Sequence, residues 1–206
     1  NWDLSSAAGI ALQWQCPDAS SVSQFNVYVR AQGVWHAAGL SSGRPGQWQS
    51  SQVLKPQLAP EGTSKGWRRV DQIRLAAWRG GTKDTTLVLA GLTPLGPSVP
   101  AAILCGNSTV PSAERGAARR YARNVADAFA NYGMRLACID DVDLAAVGLA
   151  AQKLVIVPYH PEQPAAMAAQ LRTFVERGGK VMGFYNLPKS LGQTLGMATG
   201  PYVRSS

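Results

Sequence analysis

The hydrophobic period of this chain changes once, across Gly91-Leu92-Thr93-Pro94-Leu95-Gly96-Pro97-Ser98-Val99-Pro100. That change constrains the fold more than any other feature. Before it, apolar residues alternate in short runs. Ile10, Leu12 and Trp14 fall on one face of Gly9–Gln15, and Phe25-Asn26-Val27-Tyr28-Val29-Arg30 alternates again. Gly33 followed by Val34-Trp35-His36 reads as a hairpin return, Gln47–Leu54 as a further strand, and Val70–Trp78 as a third clear alternation. Gly80-Gly81-Thr82-Lys83-Asp84 is turn chemistry before a closing strand at Thr85–Leu89. No window there keeps a 3.6 period, so the first half predicts a β-sandwich.

After the change, continuous apolar runs alternate with helical patterns. Ala101-Ala102-Ile103-Leu104-Cys105 and Leu154-Val155-Ile156-Val157 read as strands buried on both faces. Met134–Ile139 and Lys180–Tyr185 read as two more strands. A helix is expected from Ser112 to Asn131, with Ser112 as N-cap and Gly133 beyond its end, and another from Pro164 to Arg177. Asp140–Ala151 reads as a short crossover. Strands alternating with helices mean a parallel sheet with right-handed crossovers. The expectation is therefore mixed, all-β and α/β, in two domains: a β-sandwich jelly roll over residues 1–97, then a flavodoxin-like parallel α/β sheet over residues 98–206. The second stops short of the last strand and helix such a sheet normally carries. The chain also begins at Asn1 without a methionine, as a processed or trimmed piece of a longer protein would.

Composition narrows the function classes. Of 206 residues, 46 % are hydrophobic and 16 % charged, which is enough apolar material for packed cores. No apolar run reaches the roughly 20 residues of a membrane-spanning helix. The net charge of +8 is spread over both halves, and the densest basic stretch, Arg115, Arg119, Arg120 and Arg123, covers a helix surface shared with Glu114 and Asp127. A nucleic-acid binder would concentrate its cations, so nucleic acid is not an expected partner. Cys16, Cys105 and Cys138 form no CxxC pair, which argues against structural zinc.

Cys138–Tyr202 resembles the middle, amidotransferase-like domain of bacterial β-galactosidases and related glycoside hydrolases. The residues that carry this are Ile139-Asp140-Asp141-Val142-Asp143-Leu144, Lys153–Pro158, Leu171–Val181 with its Phe174-Val175-Glu176-Arg177-Gly178-Gly179-Lys180-Val181, and Leu191–Met197. The first half is similar to galactose-binding-like jelly rolls, the fold of many carbohydrate-binding modules, through Gly66-Trp67 entering Arg68–Leu75 and through Asp84–Leu92. Together the resemblances imply an accessory region of a secreted bacterial glycoside-hydrolase-like protein, extracellular or periplasmic.

The family's nucleophile does not carry over. An active amidotransferase places Cys or Ser on a tight turn after a strand. Here that turn would read Gly183-Phe184-Tyr185-Asn186-Leu187-Pro188, with neither residue present. No catalytic residue, metal or cofactor is expected, since the GxGxxG and GKS/T patterns are also absent. The six tryptophans all lie in the first half, and sugar rings stack on exposed aromatic faces. Trp14 and Trp78 are expected to point inward. Trp35 and Trp48, in polar contexts, are the candidate sugar platforms, with His36 and Arg44 as polar partners. A competing site would lie at the C-terminal edge of the parallel sheet, where α/β sites form. Its candidates are Cys105, Asn107, His160 and Glu162, with Ser190 as a further hydroxyl. Asp140, Asp141 and Asp143 cluster there and could cap a helix or hold a hard cation. Gly106-Asn107-Ser108-Thr109 could receive an anion on its N–H groups. The leading expectation is thus a non-catalytic glycan-binding fragment, with the α/β part as scaffold or oligomerisation element, or as the seat of a further domain of the same polypeptide. A hydrolase with its site at the sheet edge, and a purely structural pair, are the alternatives.

Overall fold

The computed structural model describes residues 1–41, 44–161, 163–184, 189–194, 196–197 and 200. Two antiparallel sheets come first. Strands β1 (Gly9–Gln15), β4 (Gln49–Leu54) and β7 (Val88–Leu95) form one, in the order β4-β1-β7. Strands β2 (Val22–Ala31), β3 (Val34–Leu40), β5 (Ala59–Pro60) and β6 (Val70–Arg79) form the other, in the order β5-β3-β2-β6. Alternation decides what lies between them. Ile10, Leu12 and Trp14 of β1 meet Phe25, Val27 and Val29 of β2 in one buried core. Trp14 is sealed there against Phe25, with ring centroids 4.8 Å apart, and its indole N–H donates to Ser51 Oγ.

Two expectations fail in this half for a shared reason. The last strand does not end at Leu89 but runs from Val88 to Leu95, through Gly91 and Pro94. Those residues read as linker in the sequence. Proline has no N–H to give a ladder and is tolerated on edge strands, and β7 is an edge. Trp78 points outward, 54 % exposed. On β6, Ile73 and Leu75 take the core parity, so Arg74, Ala76 and Trp78 take the other.

A four-stranded parallel sheet follows: β8 (Ala101–Cys105), β9 (Ala137–Asp140), β10 (Leu154–Val157) and β11 (Lys180–Gly183), in the order β11-β10-β8-β9. Its helices are α1 (Arg115–Ala130), the single turn α2 (Leu144–Val147), α3 (Ala165–Glu176) and α4 (Lys189–Thr194). Helix α1 starts three residues later than expected. Pro111 C=O accepts from Glu114 N–H in a turn, and Ser112 caps nothing. One face of the sheet, with Ala102, Leu104, Val155 and Val157, packs on Leu144, Met167, Leu171 and Phe174. The opposite face, with Ala101, Ile103, Cys105 and Ile156, packs on Ala122 and Ala126 of α1. That second core also takes in Ala8, Leu54 and Leu95 from the end of the sandwich. Backbone bonds stitch the same seam: Cys138 N–H donates to Ala7 C=O at 3.1 Å and Lys55 N–H to Ala8 C=O at 2.8 Å. No helix among the described residues is long and apolar enough to cross a membrane.

Candidate functional site

The C-terminal ends of β8, β9 and β10 converge on Asp140, Asp141 and His160. The turn after β8 offers the N–H groups of Asn107, Ser108 and Thr109, the arrangement expected to take an anion. The anion it holds is the protein's own. Asp141 Oδ2 accepts from Asn107 N–H and Thr109 N–H, both at 2.9 Å, and from the Thr109 hydroxyl at 2.7 Å. Asp141 Oδ1 accepts from Ser108 N–H at 3.1 Å. His160, fully buried over Gly106, lies 3.1 Å from Thr109 Oγ1 and 3.8 Å from Asp141 Oδ2. This ring of donors outweighs burial and holds the Asp141 carboxyl well below the usual carboxylate range.

The neighbouring Asp140 goes the other way. Burial, with the Asp141 charge beside it, raises its pKa strongly, although Asn107 Nδ2 (2.7 Å) and Ser64 Oγ (3.0 Å) donate to it. The two adjacent carboxyls are thus pushed in opposite directions, Asp141 toward its ionised form and Asp140 toward its neutral one. Asp143 accepts from Trp67 N–H at 2.6 Å and has Arg68 Nε at 3.4 Å. The three aspartates therefore face separate protein donors and form no cation position among the described residues, while Asp143 Oδ1 and His160 Nδ1 stay buried without a hydrogen-bond partner.

Ser64, Trp67 and Arg68 belong to the β5–β6 connection of the sandwich, which roofs the sheet edge. Gly66 sits at φ +93°, and a β-carbon there would overlap the Asp143 carboxylate, so no side chain fits. Trp67 is buried with the His36 ring 4.3 Å away, centroid to centroid, and Lys55 Nζ 5.5 Å from its centroid. Lys55 is buried too, donating to Leu4 C=O (2.7 Å) and Ser5 C=O (2.9 Å), and burial pushes its pKa down. The void left where roof and edge meet has a volume of about 20 Å³. His36, Lys55, Trp67, Cys105, Cys138 and Asp140 line it. A water fits such a space; a substrate does not, since ligand pockets run to roughly 300–1,000 Å³. A much larger cavity bordered by described residues, about 840 Å³, opens at the opposite edge of the sheet between Leu149 and Lys180 and touches none of these groups.

The proposed edge set is thus only partly assembled. Asn107 and His160 meet through Asp140 and Asp141. The Cys105 thiol instead turns into the core beside Cys138, where that thiol and burial push its pKa up. Glu162 lies outside the described residues, and Ser190 stands in α4. Sequence reasoning missed Ser64 and Lys55. A lysine framed by Val53-Leu54 and Pro56 was the available signal for the latter.

The sandwich candidates separate as well. His36 faces the interior, its Nδ1 3.1 Å from Val34 C=O and its Nε2 3.4 Å from Ser64 Oγ, so it cannot share a ligand with the outward Trp35. Burial lowers its pKa to about 4. Trp35 has its ring covered, with the Arg74 and Arg30 guanidinium carbons 5.0 and 5.7 Å from its centroid and Tyr28 edge-on at 6.4 Å. Trp48 and Arg44 lie together on the exposed connection into β4, at the end of the sandwich away from the α/β sheet. The tryptophans with open faces are Trp48 and Trp78, each 54 % exposed.

No family model matches this chain, and no curated protein matches it. Among solved structures it is similar to a β-galactosidase from Bifidobacterium adolescentis, at 20 % identity and a TM-score of 0.37. The likeness covers 48 % of this chain and 54 % of that one, about half of each. So loose a similarity carries no argument about activity.

Proposed function

We propose that this chain is a non-catalytic accessory region of a secreted, glycoside-hydrolase-like bacterial protein. Residues 1–97, as a galactose-binding-like jelly roll, contact glycan. Residues 98–206, as a flavodoxin-like, amidotransferase-like unit, serve as its scaffold. The observation that carries the reading is the sealed sheet edge. Where an α/β enzyme would open a pocket, Asp141 fills the anion turn and the Ser64–Trp67 connection closes the space down to about 20 Å³. The open aromatic surface lies instead on the sandwich, at Trp48 and Trp78. Aromatic rings there suit the apolar faces of sugars. The test is a glycan array on the full chain and on the double variant Trp48→Ala/Trp78→Ala. Binding by the parent that the double variant loses is the expected result. A parent chain that binds no glycan, or a double variant that binds as well, overturns the reading.

A further inference from the structure

The face of the four-stranded sheet that points away from the core has a definite layout. Register sets it: Trp35 stands opposite Arg30, Arg74 opposite Tyr28, and Trp78 opposite Gln24, all on the outer side. Between these ends the outer residues of the flanking strands are small, beside Asn26 and Tyr28 of β2. Gly39 and Ala76 flank Asn26, and Ala37 flanks Tyr28. The result is a shallow trough with an open indole, Trp78, at one end and a cationic stack at the other. Arg74 and Trp78 are four residues apart on one strand, about 13 Å at the rise of a β-strand.

The two arginines of the stack differ. Arg30 is neutralised by Asp71, with Nε 2.7 Å from Oδ1. Arg74 is exposed, lies over the Trp35 ring, and makes no ion pair among the described residues. A guanidinium lying over an indole and free of an ion pair keeps N–H groups available, and its fork of donors receives a carboxylate in bidentate fashion. We propose that this trough binds an acidic polysaccharide, with Arg74 taking a uronate carboxylate and Trp78 stacking on a neighbouring sugar ring. The proposal rests on the glycan-binding reading above and adds the class of sugar and its place. The sparse charge favours a glycan over a nucleic acid. A polynucleotide brings a phosphate per nucleotide and is normally met by several cations, whereas this face presents one unpaired arginine.

Affinity electrophoresis of the full chain tests this, with polygalacturonate, its carboxyl-reduced neutral counterpart and poly(U) as probes. Polygalacturonate should retard the protein most, and salt should weaken the effect. Trp78→Ala and Arg74→Gln should each weaken it about tenfold, equivalent to ~1.4 kcal/mol. Both side chains are exposed, and thermal unfolding checks that the variants fold. Tyr132→Ala, at an exposed residue beyond the end of α1, should leave retention unchanged. Equal retardation by the neutral polymer overturns the acidic class while leaving glycan binding intact. Retention unaffected by Arg74→Gln or Trp78→Ala overturns the placement, and tighter binding to poly(U) overturns the choice of partner. Retardation by none of the three overturns this proposal, while the glycan array on the parent chain decides the broader reading separately.

Discussion

Replacing Asp141 by alanine removes the acceptor on which the turn after β8 is built. Three backbone N–H groups, those of Asn107, Ser108 and Thr109, lose their partner, while the Thr109 hydroxyl can still turn to His160 3.1 Å away. A buried donor left unpaired costs about 1–3 kcal/mol. Water entering the vacated space offsets part of that, so the net loss should be about 4 kcal/mol. For a chain of this length each kcal/mol moves Tm by roughly 2–4 °C, which gives a fall of about 8–16 °C. Asp141→Asn should fall between the two, because its amide NH₂ must face at least one of the three donors. The vacated turn is then an anion site. Formate at about a hundredfold excess over its Kd should restore up to ~2.7 kcal/mol in Asp141→Ala and nothing in the parent. The pH dependence has a fixed sign. The folded carboxyl is depressed, so its contribution is complete above the unfolded value of about 3.9 and fades as pH falls below it. Calorimetry on the three proteins, with and without formate, checks all of this. A Tm change in Asp141→Ala below about 3 °C would show that the turn does not depend on its internal anion.

Two other perturbations probe the same seam. His36 is buried neutral, with its pKa lowered from 6.5 to about 4. Between those values the unfolded chain takes a proton that the folded chain refuses, so stability should decline by up to about 3 kcal/mol as pH drops. Denaturant titrations across that range should show the decline in the parent and a flatter profile in His36→Phe; an imidazole that titrates near 6.5 by NMR refutes it. Gly66→Ala forces a side chain onto the Asp143 carboxylate at a positive φ. Backbone strain of about 1 kcal/mol and the weakened Trp67 N–H bond to Asp143 should together cost about 3 kcal/mol. Limited proteolysis should then cut within residues 61–69, and protection equal to the parent's argues against this connection as the clasp.

The parallel sheet was legible in the sequence because burial on both faces writes continuous apolar runs, as in Ala101–Cys105 and Leu154–Val157. The sandwich strands were legible where one face alone is buried, as in Gly9–Gln15. Errors arose where residue type and position disagree. Trp78 alternates with apolar neighbours as a core residue does, yet its parity on β6 is that of Arg74. Gly91 and Pro94 looked like linker by type, yet an edge strand tolerates them. The candidate site was harder, because its central contacts join distant segments. In the sequence Asp141 is one of three neighbouring carboxylates, but nothing in its surroundings says that the turn at Asn107–Thr109 will wrap it. Gly66-Trp67 reads as a sign of strand entry, and its part in closing the sheet edge shows only once Asp143 is beside it.

The two halves of the molecule therefore bear on function through one contact. A parallel sheet exposes the ends of its strands, and those ends form a site when their polar groups face a space large enough for a ligand. In this chain the sandwich supplies Ser64 and the Trp67 N–H to Asp140 and Asp143, and Asp141 satisfies the anion turn from within. Each donation that tightens the seam removes a group that a substrate would otherwise engage. The same logic distinguishes the tryptophans. Trp67 is buried at the seam, Trp35 has its ring covered by Arg30 and Arg74, and Trp78 keeps an open ring on the far part of the same sheet. Recognition by this chain is thus expected where hydrogen-bonding and stacking capacity is still unspent, along the trough from Arg74 to Trp78.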